Sequence, residues 1–190
     1  TDVKGSLAQI DALKTAGCQI ARLAIPNTDA AKAFKEICQE SPLPLVADIH
    51  FDYKLAIAAA EAGASKIRIN PGNIGGKDRV RAVVEACKSY RIPIRIGVNG
   101  GSLDKKLLEK YSHPTAEALV ESAFEHLALL EECDFYDSCV SMKSSTVPTM
   151  VKAARLFRSK TDYPLHIGVT ETGPVKMGLM KSAMGIGALL

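Results

Sequence analysis

The chain has 190 residues, of which 47% are hydrophobic, enough to bury a core and read as one domain over 1–190. A formal net charge of +3, 5% aromatic residues and no Trp exclude a strongly basic or base-stacking surface, so no nucleic-acid partner is expected. No apolar run approaches the length of a membrane span and no signal-peptide pattern opens the chain, which predicts a soluble, cytoplasmic protein with no membrane partner.

In chain order, Val3, Leu7, Ile10 and Leu13 stand at helical spacing and predict a helix over 3–16, with Gly17 at its C-terminal cap. A strand is predicted over 19–25, ended by Pro26 and Asn27, then a helix over 28–40 capped by Thr28 or Asp29. The strand 43–49 follows, and a helix over 53–62 closed by Gly63. Lys66–Ile69 alternates as a short strand, with Lys66, Arg68 and Asn70 on one face and Ile67 and Ile69 on the other. Pro71 stops it, and Gly72, Gly75 and Gly76 leave backbone amides for a ligand before a helix opens near Lys77 and runs to Tyr90. A basic side chain at a strand end, followed by a Gly-rich turn onto a helix, is chemistry for holding an anion.

The strand 93–98 leads into Asn99-Gly100-Gly101-Ser102 and a polar connection holding Asp104 to Lys110. Pro114 fits the first turn of a helix reaching about Glu132; then come a strand over 136–142, a helix over 146–160 and a last strand over 163–169. Thr170 to Pro174 precede a final helix reaching Leu190. Cys18, Cys38, Cys87, Cys133 and Cys139 form no C-x-x-C pair and are odd in number, which predicts buried free thiols and no metal site within this chain.

Strands alternating with helices predict parallel βα units, and short apolar strands predict a sheet covered on both faces. No G-x-G-x-x-G is present, so the expectation is an α/β fold of the (β/α) TIM-barrel type. About six strands and seven helices are predicted, beginning and ending on a helix. An eight-stranded barrel then lacks its first and last strands, and a fragment of a longer protein is expected. There is also an internal echo: Gly17 precedes Arg22, and Gly63 precedes Arg68, by the same five residues.

Barrel sites lie at the C-terminal strand ends. Alternation turns inward Arg22; Asp48 with His50; Arg68 with Asn70; Arg95 with Asn99; Ser141 with Lys143; and His166 with Thr170. Four permanent cations in one concavity repel unless an anion sits among them, and a doubly phosphorylated substrate meets that need. The alternative for any single arginine is a solvated loop position or an ion pair with Asp48 or Glu171. His50, just past a strand end, is read as a ligand contact, while His166 is left between a ligand contact and a core hydrogen bond. His113 and His126 are given no role. Glu171 either moves a proton at a leaving oxygen or caps the last helix, and Lys143 either pairs with phosphate or acts as a Schiff-base lysine.

Four segments in order, Val46 to Tyr53 (VADIHFDY), Arg68 to Gly75 (RINPGNIG), Arg95 to Leu103 (RIGVNGGSL) and His166 to Gly173 (HIGVTETG), resemble the 4-hydroxy-3-methylbut-2-enyl diphosphate synthase family. The resemblance spans essentially the whole chain. It implies an oxidoreductase of isoprenoid biosynthesis by the methylerythritol phosphate route. That enzyme opens 2-C-methyl-D-erythritol 2,4-cyclodiphosphate with two electrons and expels an oxygen as water. It implies a [4Fe–4S] cluster held by a separate C-terminal domain, electrons from flavodoxin or ferredoxin, a homodimer, and a bacterial cytoplasm or plastid stroma. Carried over by position, Arg22, His50, Arg68, Arg95, Asn99, Lys143 and Thr170 would bind the diphosphate. Asp48 would lie close by, and Glu171 would be the acid–base candidate. None of the five cysteines stands in the family's cluster motif, so the chain is expected to hold substrate and to be inactive alone. The competing readings are a redox-free barrel enzyme of the aldolase or dihydropteroate-synthase type, and a non-enzymatic anion-binding module.

Overall fold

A computed structural model describes residues 2–190. The chain divides into two compact units, the first up to Arg95 together with Leu129–Asp137, the second Ile96–Ala128 with Ser138–Leu190. The sheet has five strands in the order of the sequence, as βα units connected the same way each time require.

The first unit opens on α1 (Val3–Thr15), whose N-cap Asp2 accepts from the Gly5 N–H at 2.9 Å. Then follow β1 (Ala21–Ala24), α2 (Thr28–Glu40), β2 (Leu45–Asp48), α3 (Tyr53–Glu61), β3 (Lys66–Ile69), α4 (Pro71–Ile74), α5 (Lys77–Tyr90) and the start of β4 (Ile94–Asn99). β1 and β2 are parallel, with Arg22 opposite Val46 and Ala24 opposite Asp48; β2 and β3 are parallel, with Asp48 opposite Arg68. Every residue of β2 is buried, which is what covering both faces demands. Ile67 and Ile69 are fully buried and Arg68 less so, as alternation predicts. Phe34 and Ile37 from α2 and Val83, Val84 and Cys87 from α5 complete the core, and α3 packs against both helices. Gly17 and Gly63 each follow a helix C-cap at positive φ, +89° and +98°, where a side chain would be strained.

Two local expectations change in this unit. The cap of α2 is Asn27, not Thr28 or Asp29; its Oδ1 accepts from the Ala30 N–H at 2.9 Å, and its extended backbone puts it just outside the helix. The glycine-rich turn is not a bare loop. Asn70 caps the short α4, accepting from the Gly72 N–H at 3.1 Å, so that amide is committed rather than open to a ligand. Pro71 at the first helical position, with φ already set, makes the short helix possible.

The second unit carries the rest of β4, a 3₁₀ turn (Gly100–Ser102), α6 (Lys105–Tyr111), most of α7 (Ala116–Glu131), β5 (Ser138–Lys143), α8 (Val147–Arg158) and α9 (Val175–Gly187). Its core includes Leu119, Leu127, Val140 and Phe157, with Phe124 stacked on Phe157 at 5.2 Å. The expected polar connection is helix α6: Asp104 accepts from the Lys106 N–H at 2.9 Å and Leu107 is buried, one apolar anchor among charges too sparse to show periodicity. Pro114 lies before α7 rather than in it, and Thr115 Oγ1 accepts from the Ala118 N–H at 3.1 Å.

The expected last strand is a single parallel bridge, Val140 with Leu165. Val140 N donates to Pro164 O at 2.9 Å and His166 N to Val140 O at 2.8 Å; the next such bond is Thr170 N to Ser144 O at 3.2 Å. Pro164 has no N–H and Gly168 has no side chain to pack, so this stretch runs beside β5 without becoming a regular ladder. Five strands and nine α-helices therefore replace the expected six and seven among the described residues.

His126 on α7 acquires a role that sequence reading withheld. Its Nδ1 is enclosed without a hydrogen-bond partner among the described residues, and desolvation, opposed by Asp104, pushes its pKa down to about 4. The unfolded chain binds this proton near pH 6.5, so stability from this group is intact above that pH and is lost as pH falls toward 4. Urea unfolding should lose up to about 3 kcal/mol across that interval. His126→Leu should flatten the difference; an unchanged slope would assign the acid sensitivity elsewhere.

Candidate functional site

In the first unit β1 and the C-terminal ends of β2 and β3 bring four of the expected site residues together. Asp48 ends β2 with its side chain 2% exposed. Its Oδ2 accepts from Arg22 Nη1 and its Oδ1 from Arg68 Nη1 at 2.9 Å. His50 Nε2 stands 3.3 Å from Asp48 Oδ2. Arg22 and His50 are half exposed, whereas Arg68 is 13% exposed. Despite the equal Gly-to-Arg spacing the two arginines stand at different heights, Arg22 beside Val46 and Arg68 beside Asp48, and their long side chains meet on the same aspartate. The ion-pair alternative left open for single arginines is thus the arrangement of Arg22 and Arg68.

Electrostatically this cluster retains positive charge. Burial and then the neighbouring Arg68 lower the pKa of Arg22, and burial lowers that of Arg68, although both remain cations at neutral pH. One carboxylate offsets one of the two guanidiniums, leaving a net cation beside a half-exposed imidazole. Arginine forks in a partly desolvated setting suit phosphate oxygens, which take paired N–H donors. Arg95, in the part of β4 that belongs to this unit, is 6% exposed. Asn70 is 4% exposed, and its Oδ1 serves the α4 cap.

In the second unit, Asn99 ends β4 directly before the Gly100–Gly101 turn, and Lys143 ends β5 directly before Ser144. A β-carbon at position 168 would lie 3.7 Å from Lys143 Cε, so glycine there leaves the lysine its space. A cleft of about 310 Å³ is lined by Gly100, Gly101, His113, Ser144, Thr170 and Glu171, among others. Glu171 is exposed with φ +51°, and its Oε1 is 3.9 Å from where a β-carbon on Gly101 would be. The N-cap position of α9 is Pro174, so Glu171 does not cap that helix. His166 is exposed. Sequence reading missed the hydroxyl-bearing turn 144–146 and His113 in this cleft. The signal was present in the Ser-Ser-Thr run after a strand end, which is turn chemistry.

Among the described residues no three His, Cys, Asp or Glu side chains are grouped to hold a metal ion. All five cysteines are free, and burial pushes the thiols of Cys38 and Cys87 up to about 11 and about 12. An iron–sulfur cluster needs several thiolates converging on one point, and the described cysteines do not gather into such a group. No described helix is long and apolar enough to cross a membrane.

With this geometry established, comparison with known proteins is specific. The model of the GcpE TIM-barrel domain matches residues 1–190. The chain is 56% identical over 192 residues to 4-hydroxy-3-methylbut-2-en-1-yl diphosphate synthase (flavodoxin) of Maridesulfovibrio salexigens, covering 100% of this chain and 54% of that protein. It is 58% identical over 189 residues to the protein of the same name from Clostridium perfringens, again covering 100% and 54%. The chain thus spans about half the length of the curated relatives it matches. Among solved structures, the HMG-CoA lyase of Brucella melitensis superposes with a TM-score of 0.64 at 17% identity, covering 96% of this chain and 70% of that one, a likeness of fold alone.

Proposed function

Since the chain belongs to the GcpE TIM-barrel domain family, we propose that it forms the substrate-holding barrel portion of a 4-hydroxy-3-methylbut-2-en-1-yl diphosphate synthase. The longer enzyme would open 2-C-methyl-D-erythritol 2,4-cyclodiphosphate reductively. The observation that carries this reading is the pair of arginines from β1 and β3 meeting on Asp48, a site with more positive than negative charge at the strand ends. The names of the relatives support it.

In this reading Arg22, Arg68 and His50 grip the diphosphate through charge-assisted hydrogen bonds, helped by Arg95 of the same unit. The family resemblance assigns Asn99, Lys143 and Thr170 to substrate as well. Breaking the carbon–oxygen bond builds negative charge on the departing oxygen, and fixed cations stabilise it without reorganising. Glu171 would pass a proton to the oxygen that leaves as water, and its exposure allows exchange with solvent. A [4Fe–4S] cluster, a flavodoxin or ferredoxin donor and a homodimer are assigned to the longer protein, with cluster ligands outside residues 1–190. The isolated chain then binds substrate without turning it over.

The test is calorimetric titration of the chain with the cyclic diphosphate. Saturable binding that weakens as salt rises is expected. No heat at millimolar ligand, under conditions where the chain is folded by circular dichroism, would overturn the reading.

A further inference from the structure

The two arginines on which that reading depends would repel each other if nothing stood between them. What stands between them is a nearly inaccessible carboxylate, divided so that each oxygen serves a different strand: Oδ2 takes Arg22 and Oδ1 takes Arg68. The backbone makes the division rigid. Asp48 is in register with Ala24 of β1 and Arg68 of β3, at the centre of three hydrogen-bonded parallel strands. His50, two residues on, leans on the same oxygen as Arg22.

We propose that Asp48 is the positioning residue of the anion site: it aligns the guanidiniums of Arg22 and Arg68 before any ligand arrives and need not itself touch the ligand. This rests on the anion-binding reading above. A carboxylate is required because both of its oxygens accept, one for each arginine. An asparagine of the same shape would accept on one side only and present N–H groups to a guanidinium, donor against donor, on the other. Alignment matters because a guanidinium free to rotate must be ordered at the moment of binding, whereas one already clamped is not.

The electrostatic sign separates this role from its rival. If Asp48 merely competed with the ligand for the arginines, removing its charge would raise the positive charge of the site and tighten anion binding. If Asp48 positions them, the same change weakens binding despite the added positive charge. Inorganic pyrophosphate serves as the probe, titrated into the full 190-residue chain and into Asp48→Asn. The dissociation constant should rise about tenfold in the variant. A constant that is unchanged or lower overturns the proposal.

A second readout does not depend on ligand at all. In the unaltered chain, nitrogen-detected NMR should show separate, slowly exchanging Nη signals for Arg22 and Arg68, assigned with Arg22→Lys and Arg68→Lys. In Asp48→Asn those signals should merge through rotation while the backbone spectrum keeps its dispersion. If pyrophosphate binds neither protein, the functional reading fails and the arginine signals alone decide: merging supports Asp48 as the clamp, and identical signals overturn it. Should Asp48→Asn not fold, Asp48→Glu keeps the charge but shifts the carboxylate by one methylene. It should still weaken pyrophosphate several-fold; binding equal to that of the unaltered chain overturns the proposal.

Discussion

Arg68→Ala should weaken binding of the cyclic diphosphate about thirtyfold, ~2 kcal/mol, and destabilise the fold at the same time. The two losses share one origin. Arg68 is 13% exposed and Asp48 2%, so the mutation leaves a buried carboxylate without its more enclosed partner. Removing one member of a buried pair costs about 3–5 kcal/mol, and Arg22 on the other oxygen keeps the expected loss near the lower figure, about 3 kcal/mol. Urea unfolding measures the stability and calorimetry the affinity. Arg68→Lys restores the charge without the planar fork, and should recover more of the stability than of the affinity. Full affinity in Arg68→Ala would remove the arginine from the site.

The second large effect lies in the other unit and concerns packing alone. Phe157 of α8 is completely buried and its ring stacks on Phe124 at 5.2 Å. Truncation to alanine opens a cavity and removes an aromatic pair, for an expected loss of about 4 kcal/mol in chemical unfolding. Phe157→Leu refills most of the volume and should cost about half as much. α8 packs on β5, the strand that ends in Lys143, so faster amide exchange in residues 138–143 should accompany the truncation. A loss below about 1 kcal/mol would mean that the core collapses around the vacancy.

Where the chain follows strong local rules, the residues announced the fold. Gly17 and Gly63 end helices at positive φ, Ile67 and Ile69 face the core while Arg68 turns away, and all of β2 is buried. Alternation put Arg22, Asp48 and Arg68 on one side of their strands, and both arginines meet Asp48. Four features could not be read this way. The helix α6 is anchored by one buried leucine, too little apolar repetition to mark a period against its lysines. The stretch 163–169 has a strand's apolar alternation, but Pro164 and Gly168 undercut its ladder, a conflict that only the hydrogen bonds resolve. The pairing of Asp48 with both arginines depends on the register of three strands, which no local pattern encodes. His113 and the hydroxyl-bearing turn at 144–146 escaped for the same reason, since they become neighbours of Glu171 only through tertiary folding.

β1 and β3 are not adjacent; β2 runs between them, so their backbones stand two strand spacings apart, about 9.5 Å. That interval is dictated by amide-to-carbonyl geometry and owes nothing to the identity of the surrounding apolar residues. The interval between the two arginine-bearing strands is therefore set by the sheet itself. Drift in the hydrophobic interior can alter how firmly these strands hold together long before it alters the interval between them.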